Sequence, residues 1–345
     1  MDTSNWTEHE RAVLAAYRAG RECDLSQPES DPAEAKPQLR AEVLSRLILS
    51  APGNDAPPRL IIAGAHVTGL LDLGCATLVP FLFKNCTFDS EPMLNDAKAD
   101  FVGFVDCSLP GLSASRLHCN GPVWLHGSEF SQSVTLEDAQ VIDLVAHHIL
   151  LKTANPMVSG FMVSGMRVEH DINLSRCEIN GTLVARSCHV KGSFSLYKSI
   201  LTPGSGRAFL ARLLHVGGDL LCDEGAFGGR FDIEGAEIDG AAYFVSAKIG
   251  DEKESLNLDH SIIKLGVHAS KLVATGTVSL HHATVSCQLS LSQATITTSA
   301  EYAIRADHAI IQGSLILKGG AEDECSRVAP RRRNRVRTQH EGAPD

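Results

Sequence analysis

Apolar and polar residues alternate in a short, recurring pattern along most of the chain. The stretch INGTLVARSCHVKG spans residues 179–192, and in it Ile179 and Gly181 recur as Val190 and Gly192, eleven residues later. Apolar residues lie two and four positions on either side of each glycine, giving the unit L-x-L-x-x-A-x-I-x-G-x. Apolar pairs separated by two residues are typical of very short strands with one inward face. The pattern predicts strand-and-turn units that must stack to bury that face.

A longer period of 47–49 residues is superimposed on the unit of eleven. Its equivalent positions are Gly121, His170, Gly218, Leu265 and Gly313. Since two units of eleven make one coil of 22 residues, each long period contains two coils and one short insertion. The insertions are predicted in or near Lys152–Met157, Leu201–Arg207, Gly250–Ser255 and Thr298–Tyr302. Two-coil stacking predicts that these insertions lie along one edge.

The spacing resembles that of the pentapeptide-repeat family, with one additional residue in every ten. Several phrases are similar to a bacterial family of such repeats that is often labelled membrane-associated oxidoreductase. They are HVTGLLDLGCA, FDIEGAEIDG, YAIRADHAIIQGSLIL and the N-terminal WTEHERAVLAAYRAG. The resemblance covers roughly residues 1–320. It implies an all-β fold, a right-handed, four-sided parallel β-helix with about 22 residues per coil.

The N-terminal region has helical rather than repeat spacing. Thr7 and Glu10 form a capping-box pattern, followed by apolar residues at helical spacing up to Tyr17. Pro37 opens a second helical pattern that includes Leu39 and continues to Ile48. We expect these helices to cover the first coil, whose open strand edge would otherwise promote association.

These patterns predict three regions. Residues 1–58 form a helical cap and linker, residues 59–319 the β-helix, and residues 320–345 a disordered basic tail. The formal net charge of −10 argues against a general nucleic-acid binder, which leaves only the basic tail for contact with nucleic acid or anionic lipid. No stretch has the length of a transmembrane segment, and the polar N-terminus does not resemble a signal peptide. The ten cysteines are therefore expected to be reduced, in a cytoplasmic protein.

Most cysteines fall on inward positions of the pattern, where cysteine serves as a small apolar residue. These residues are Cys86, Cys107, Cys119, Cys177, Cys188 and Cys222. Cys23 and Cys325 lie outside the pattern and are the two thiols expected to be exposed. No C-x-x-C occurs, so the usual local motif for zinc or dithiol chemistry is missing from the sequence.

Other motifs do not identify a catalytic group. The adjacent pairs His147–His148 and His281–His282 would point to opposite faces of a strand, so no metal site is predicted, although His281 or His282 could join a ligand from an adjacent coil. PGSGRAF has Phe209 in place of the third glycine of a dinucleotide-binding turn. No cofactor is predicted, and NAD(P) or flavin enters only if the oxidoreductase label of the similar family applies.

The favoured interpretation is a non-enzymatic scaffold that binds a protein partner through its faces or through a ridge of inserted loops. The candidate partner-binding residues on that ridge are Arg207, Asp251, Glu252, Lys253, Glu301 and Tyr302. One alternative is an oxidoreductase with its site on the ridge or the helical cap. Another is a structural unit that self-associates through a coil end.

Overall fold

The short apolar pairs of the sequence form short parallel strands that stack coil upon coil. The computed structural model describes residues 3–26, 36–50, 59–153, 159–318 and 336–337. The chain is a parallel β-solenoid of about 11 turns, with about 22 residues per turn and helices at its N-terminal end. The predicted class of fold is confirmed.

Within the described residues the strands belong to three parallel sheets. The first sheet consists of Cys23–Asp24, Leu60–Ala63, Phe81–Lys84, Val102–Val105, Val123–Trp124, Leu144–Val145, Ile172–Asn173, Phe194–Ser195, Leu220–Leu221, Ala241–Tyr243, Gly266–His268, Gln288–Ser290 and Leu315–Ile316. The third sheet consists of Lys98–Ala99, His118–Cys119, Gln140–Val141, Arg167–Val168, His189–Val190, His215–Val216, Glu237–Ile238, Ile262–Ile263, Thr284–Val285 and Ile310–Ile311.

The second sheet covers two adjacent sides of each coil. Its first side consists of Gln38–Arg40, His66–Thr68, Thr87–Phe88, Ser108–Leu109, Glu129–Phe130, Leu150–Lys152, Glu178–Asn180, Ile200–Leu201, Ala226–Phe227 and Thr295–Thr297. Its second side consists of Leu112–Ser113, Val134–Thr135, Ser159–Met162, Thr182–Val184, Arg207–Leu210, Arg230–Asp232, Ile304–Arg305 and Val336–Arg337. Lys248–Asn257 and Val273–Ser279 run through both sides. We call the bend between the two sides the loop corner.

The core follows the inward positions of the repeat. Cys177, Ile179, Leu183 and Ala185 are all buried, and the equivalent residues of neighbouring coils lie above and below them. Complete burial of a leucine or isoleucine side chain stabilises a fold by about 1.5–3 kcal/mol. Repetition of this small set in every coil therefore holds the stack together, because no single coil could bury its own apolar face.

Coil length is less uniform than the repeat of eleven predicts. Along the first sheet, residues between Phe83 and Leu144 pair in register with residues 21 positions later, for example Phe83 with Phe104. On the second sheet, by contrast, Leu112 pairs with Val134, 22 positions later. On the first sheet a step of 22 residues occurs at the pairing of Ile172 with Phe194. The predicted count of about 22 residues per coil is confirmed, and individual steps between paired strands vary around it.

The helical cap covers the first coil, as predicted. The first helix is Glu8–Arg18, and its capping box is present: the Glu10 amide donates to Thr7 Oγ1 and the Thr7 amide to Glu10 Oε2. The second helix is Ala41–Ile48. The helical pattern predicted from Pro37 begins too early, since Gln38–Arg40 is a strand that pairs with His66–Thr68. The pairing provides hydrogen-bond partners for backbone groups that a helix would otherwise have paired internally. Leu39 is buried in the strand, as it was expected to be in the helix.

The expected exposure of the cysteines is correct for the inward positions and wrong for Cys23. Cys23 is buried because its strand pairs with Ile62 at the start of the first sheet. Within the described residues the exposed free cysteines are Cys75 and Cys287, and Cys325 lies outside those residues. Burial raises the pKa of Cys177 and Cys188 to about 12 each, so neither is a thiolate near neutral pH.

Two predicted regions lie mostly outside the described residues. They are residues 27–35 of the linker and the basic tail 320–345, apart from Val336–Arg337, which pairs in parallel with Ile304–Arg305. Residues 154–157 of the first predicted insertion also lie outside them.

Candidate functional site

The predicted insertions lie at the same corner of the solenoid. Leu201–Arg207 connects the strands Ile200–Leu201 and Arg207–Leu210, which belong to the two sides of the second sheet. Gly250–Ser255 lies inside the long strand Lys248–Asn257, where the register shifts between the two sides. Thr298–Tyr302 precedes Ile304–Arg305 on the second side. The expected placement of these loops along one edge, the loop corner, is confirmed.

Glycines form the loop corner in the coils between the insertions. They are Gly181, Gly228, Gly229 and Gly276. Gly276 has a φ of 135°, a conformation that favours glycine. A Cβ atom at Gly276 would lie 2.0 Å from the carbonyl oxygen of Asp251, and one at Gly229 would lie 2.6 Å from that of Gly206. Each of these two loops thus lies directly against the glycine corner of the following coil.

The second and third loops share a groove. Lys253, Glu301 and Tyr302 line it, together with Glu254 and Arg305, and its volume is ≈ 340 Å³. Lys253 and Glu301 are exposed and Tyr302 is half-buried. The Tyr302 carbonyl oxygen accepts a hydrogen bond from Thr277 Oγ1 at 2.8 Å, which fixes the loop on the second sheet. Three of the six candidate residues are therefore brought together.

The other candidates have different surroundings. Asp251 Oδ1 accepts a hydrogen bond from the Lys253 amide at 3.0 Å and so shapes its own loop. Arg207 is exposed and borders a separate groove with Arg186. The side chain of Glu252 lies outside the described part of the structure. The candidate residues therefore do not share one continuous surface, because Arg207 lines one groove and Lys253, Glu301 and Tyr302 line another.

A network of ion pairs crosses the second side of the second sheet beside these loops, and sequence reasoning missed it. Arg230 Nη1 lies 2.7 Å from Glu254 Oε2, and Arg305 Nη2 lies 2.9 Å from Asp259 Oδ2. Arg212 Nε lies 3.0 Å from Asp232 Oδ2, and Asp232 is buried. These are outward positions of successive coils, so aligning the outward residues coil by coil would have provided the signal.

Electrostatics set the charge state of this network. Burial raises the pKa of the Glu254 carboxyl, while Arg230 and Arg305 act in the opposite direction and the neighbouring Asp259 and Asp232 add to the rise. Arg305 binds both Glu254 and Asp259, at 3.6 and 2.9 Å. Three arginines thus face four carboxylates, which leaves the network slightly acidic beside the groove of the second and third loops.

Four histidines lie together where the second side of the second sheet meets the third sheet; we call them the histidine stack. They are His260, His281, His282 and His308. The rings of His260 and His308 stack on that of His282 with centroid distances of 5.2 and 4.9 Å. Desolvation and the neighbouring imidazoles lower the pKa of His282. Among the described residues no group of three or more His, Cys, Asp or Glu side chains is placed to hold a metal ion.

Comparisons with known proteins do not assign a function to these features. No family model, curated protein or solved structure matches the chain. None of the helices in the described ranges is both long and apolar enough to cross a membrane. The fold defines the chain as a parallel β-solenoid with coils of about 22 residues, a fold that does not by itself specify a function.

Proposed function

We propose that this protein is a non-enzymatic β-helical scaffold that binds a partner protein along its loop corner. The observation that supports this proposal is the regular recurrence of the inserted loops at one corner, every second coil. Since adjacent strands lie about 4.8 Å apart, successive loops are separated by about 10 Å along the stack. An extended partner could contact three loops at once, and multiple weak contacts of this kind add up to stable binding.

The rigidity of the corner supports the same function. Glycine corners hold the two loops around Gly206 and Asp251, and the ion-pair network lies against the groove of Lys253, Glu301 and Tyr302. Loops that are ordered before binding lose less conformational entropy when a partner binds. The family that the repeats resemble is labelled oxidoreductase, but no described feature supplies a catalytic group for that chemistry.

The test is the triple variant Arg207→Ala, Glu252→Ala and Tyr302→Ala. Wild-type protein is expected to recover one stoichiometric partner from its native lysate, and the triple variant is expected to lose that partner without a change in melting temperature. The matched control is the alanine triple of Gln140, Arg167 and Thr284, which belong to the third sheet. The control is expected to retain the partner.

Two results would contradict the proposal. One is full retention of the partner by the loop variant, which would indicate that the partner binds the cap or the basic tail instead. The other is saturable binding of NAD(P)H or flavin to the purified protein, which would favour the oxidoreductase interpretation.

A further inference from the structure

We infer that the groove beside the first fully described loop binds an extended, acidic segment of the partner, with two carboxylates that flank an apolar side chain. This inference rests on the proposed scaffold function and specifies the chemistry of the partner. The groove has a volume of ≈ 360 Å³ and is lined by Met162, Val184 and Leu210, with Arg186 and Arg207 at its sides. We call it the arginine groove.

The floor of the arginine groove is apolar, although it lies on the outer face of the sheet. Met162 pairs in register with Val184, and Val184 with Leu210. Their neighbours Leu183 and Phe209 point into the core, so alternation along the strand directs Val184 and Leu210 outward. Only 7% of Val184 and 5% of Leu210 is exposed, and Met162 is the more open part of the floor. Three strands about 4.8 Å apart give an apolar strip about 10 Å long. The strip ends at the next coil, where the residue paired with Leu210 is the acidic Asp232.

The two arginines at the sides are available for an acidic ligand. Arg186 and Arg207 are both exposed, and neither forms an ion pair with a carboxylate of the described residues. The arginines of the following coils do form ion pairs: Arg212 pairs with Asp232 and Glu234, and Arg230 pairs with Asp232 and Glu254. In a chain of net charge −10, this groove therefore holds two unneutralised guanidinium groups. A guanidinium binds a carboxylate through two parallel hydrogen bonds.

Hydroxyl groups add polar contacts near Arg207. Thr182 Oγ1 lies 3.1 Å from Ser205 Oγ and donates to the Arg207 carbonyl oxygen at 2.8 Å. These bonds join the loop to the strand below it. These bonds fix the position of the Arg207 backbone, from which the side chain starts at the edge of the apolar floor.

The order of residues along the strands determines the expected ligand pattern. Arg207 precedes the strand residues that form the floor, and Arg186 follows them, so the apolar strip lies between the two cations. In an extended peptide, residues i, i+2 and i+4 lie on one face and span about 13 Å. The matching pattern is acid-x-apolar-x-acid. Glu137 also lines the groove, so its lining carries one net positive charge, which favours spaced carboxylates over the denser charge of a continuous phosphate backbone.

Selection from a random peptide library tests the ligand pattern directly. A phage library of random nine-residue peptides is selected on the full-length protein, and bound peptides are measured by fluorescence anisotropy. We expect enrichment of acid-x-apolar-x-acid. The affinity for the peptides should fall at least about tenfold in the double variant R186S/R207S. A tenfold fall corresponds to the loss of a single charge-assisted hydrogen bond, so it is the smallest effect expected from removing both arginines. Replacing the two acids of a selected peptide by their amides should have the same effect.

A matched control removes two exposed cations elsewhere. The variant K98S/R167S changes two residues of the third sheet and should bind the selected peptides within about twofold of wild type, since the change in net charge is the same. Absence of the acidic pattern, or equal binding by R186S/R207S, would overturn the inference. Arginine-dependent binding of a 12-nucleotide single-stranded DNA more tightly than the peptides would also overturn it.

The two proposals fail differently. If the loop-corner triple variant loses its native partner while R186S/R207S retains it, the scaffold function stands and the acidic segment is wrong. If neither variant loses the partner, the loop corner is not the binding surface.

Discussion

At the scale of single residues, Glu10 connects the capping of the first helix to the rest of the cap. It is buried, it caps the Thr7 amide, and its carboxylate accepts hydrogen bonds from the Arg40 guanidinium at 2.6 and 2.8 Å. Burial acts to raise the pKa of this carboxyl. The hydrogen bonds from Arg40 and the backbone amides outweigh burial and lower the pKa from 4.5 to about 2.

The lowered pKa of Glu10 predicts a loss of stability in acid. Between pH 4.5 and 2 the unfolded chain binds a proton at this residue that the folded chain does not bind, so the stabilisation is complete above pH 4.5 and disappears as the pH falls towards 2. Urea unfolding should show wild type more stable than Glu10→Gln by about 3 kcal/mol at pH 6, with the difference closing towards pH 2. A difference that does not change with pH would contradict this assignment.

Residues near one another in sequence were the predictable ones. The capping box of Thr7 and Glu10 spans one helical turn, and the inward alternation of Ile179 and Leu183 spans a single corner. The Arg40 contact crosses thirty positions and a linker, so no local pattern contains it. The ion pairs of Arg230 were missed because coils of 21, 22 and more residues shift the outward positions relative to a fixed count.

At the scale of elements, the insertions and the glycine corners form one unit over two coils. The sequence revealed the glycines as markers of the repeat, and the structure adds that Gly276 lies against the loop of Asp251. The position is close-packed and has positive φ, whereas Gly69 has a φ of 84° and open space within 4 Å of the point where a Cβ atom would lie. Gly69 therefore shows backbone strain alone, whereas Gly276 combines a φ of 135° with crowding.

Alanine at Gly276 should destabilise the protein more than alanine at Gly69. Gly69→Ala introduces only the strain of positive φ, about 1–2 kcal/mol. Gly276→Ala adds a contact of 2.0 Å to the Asp251 carbonyl oxygen, and overpacking of this kind costs about 1–3 kcal/mol more. Denaturant unfolding of both variants measures the difference. Equal losses would show that the loop moves away without cost and that the corner is not rigid.

At the scale of the whole molecule, stability depends on each coil having a neighbour. The first coil is covered by the cap on two sheets, through Cys23–Asp24 on Leu60–Ala63 and Gln38–Arg40 on His66–Thr68. The sequence predicted this role for the cap from its helical spacing. The sequence did not predict the strands of the cap. A three-residue strand directly before a helix has the same spacing of apolar residues as a first helical turn, so the two cannot be told apart by spacing.

Removal of the cap should convert the protein into one that associates through its first coil. Deletion of residues 1–58 exposes the unpaired edges of Leu60–Ala63 and His66–Thr68, and such edges pair with other chains. Sedimentation velocity is expected to show species that grow with protein concentration, with the β-sheet signal in circular dichroism retained. Adding Ile61→Lys to the deletion places a charge at the exposed edge and should suppress the association. Association that persists with Ile61→Lys, or a truncated protein that stays monomeric at every concentration, would show that the cap stabilises the first coil without protecting its edge.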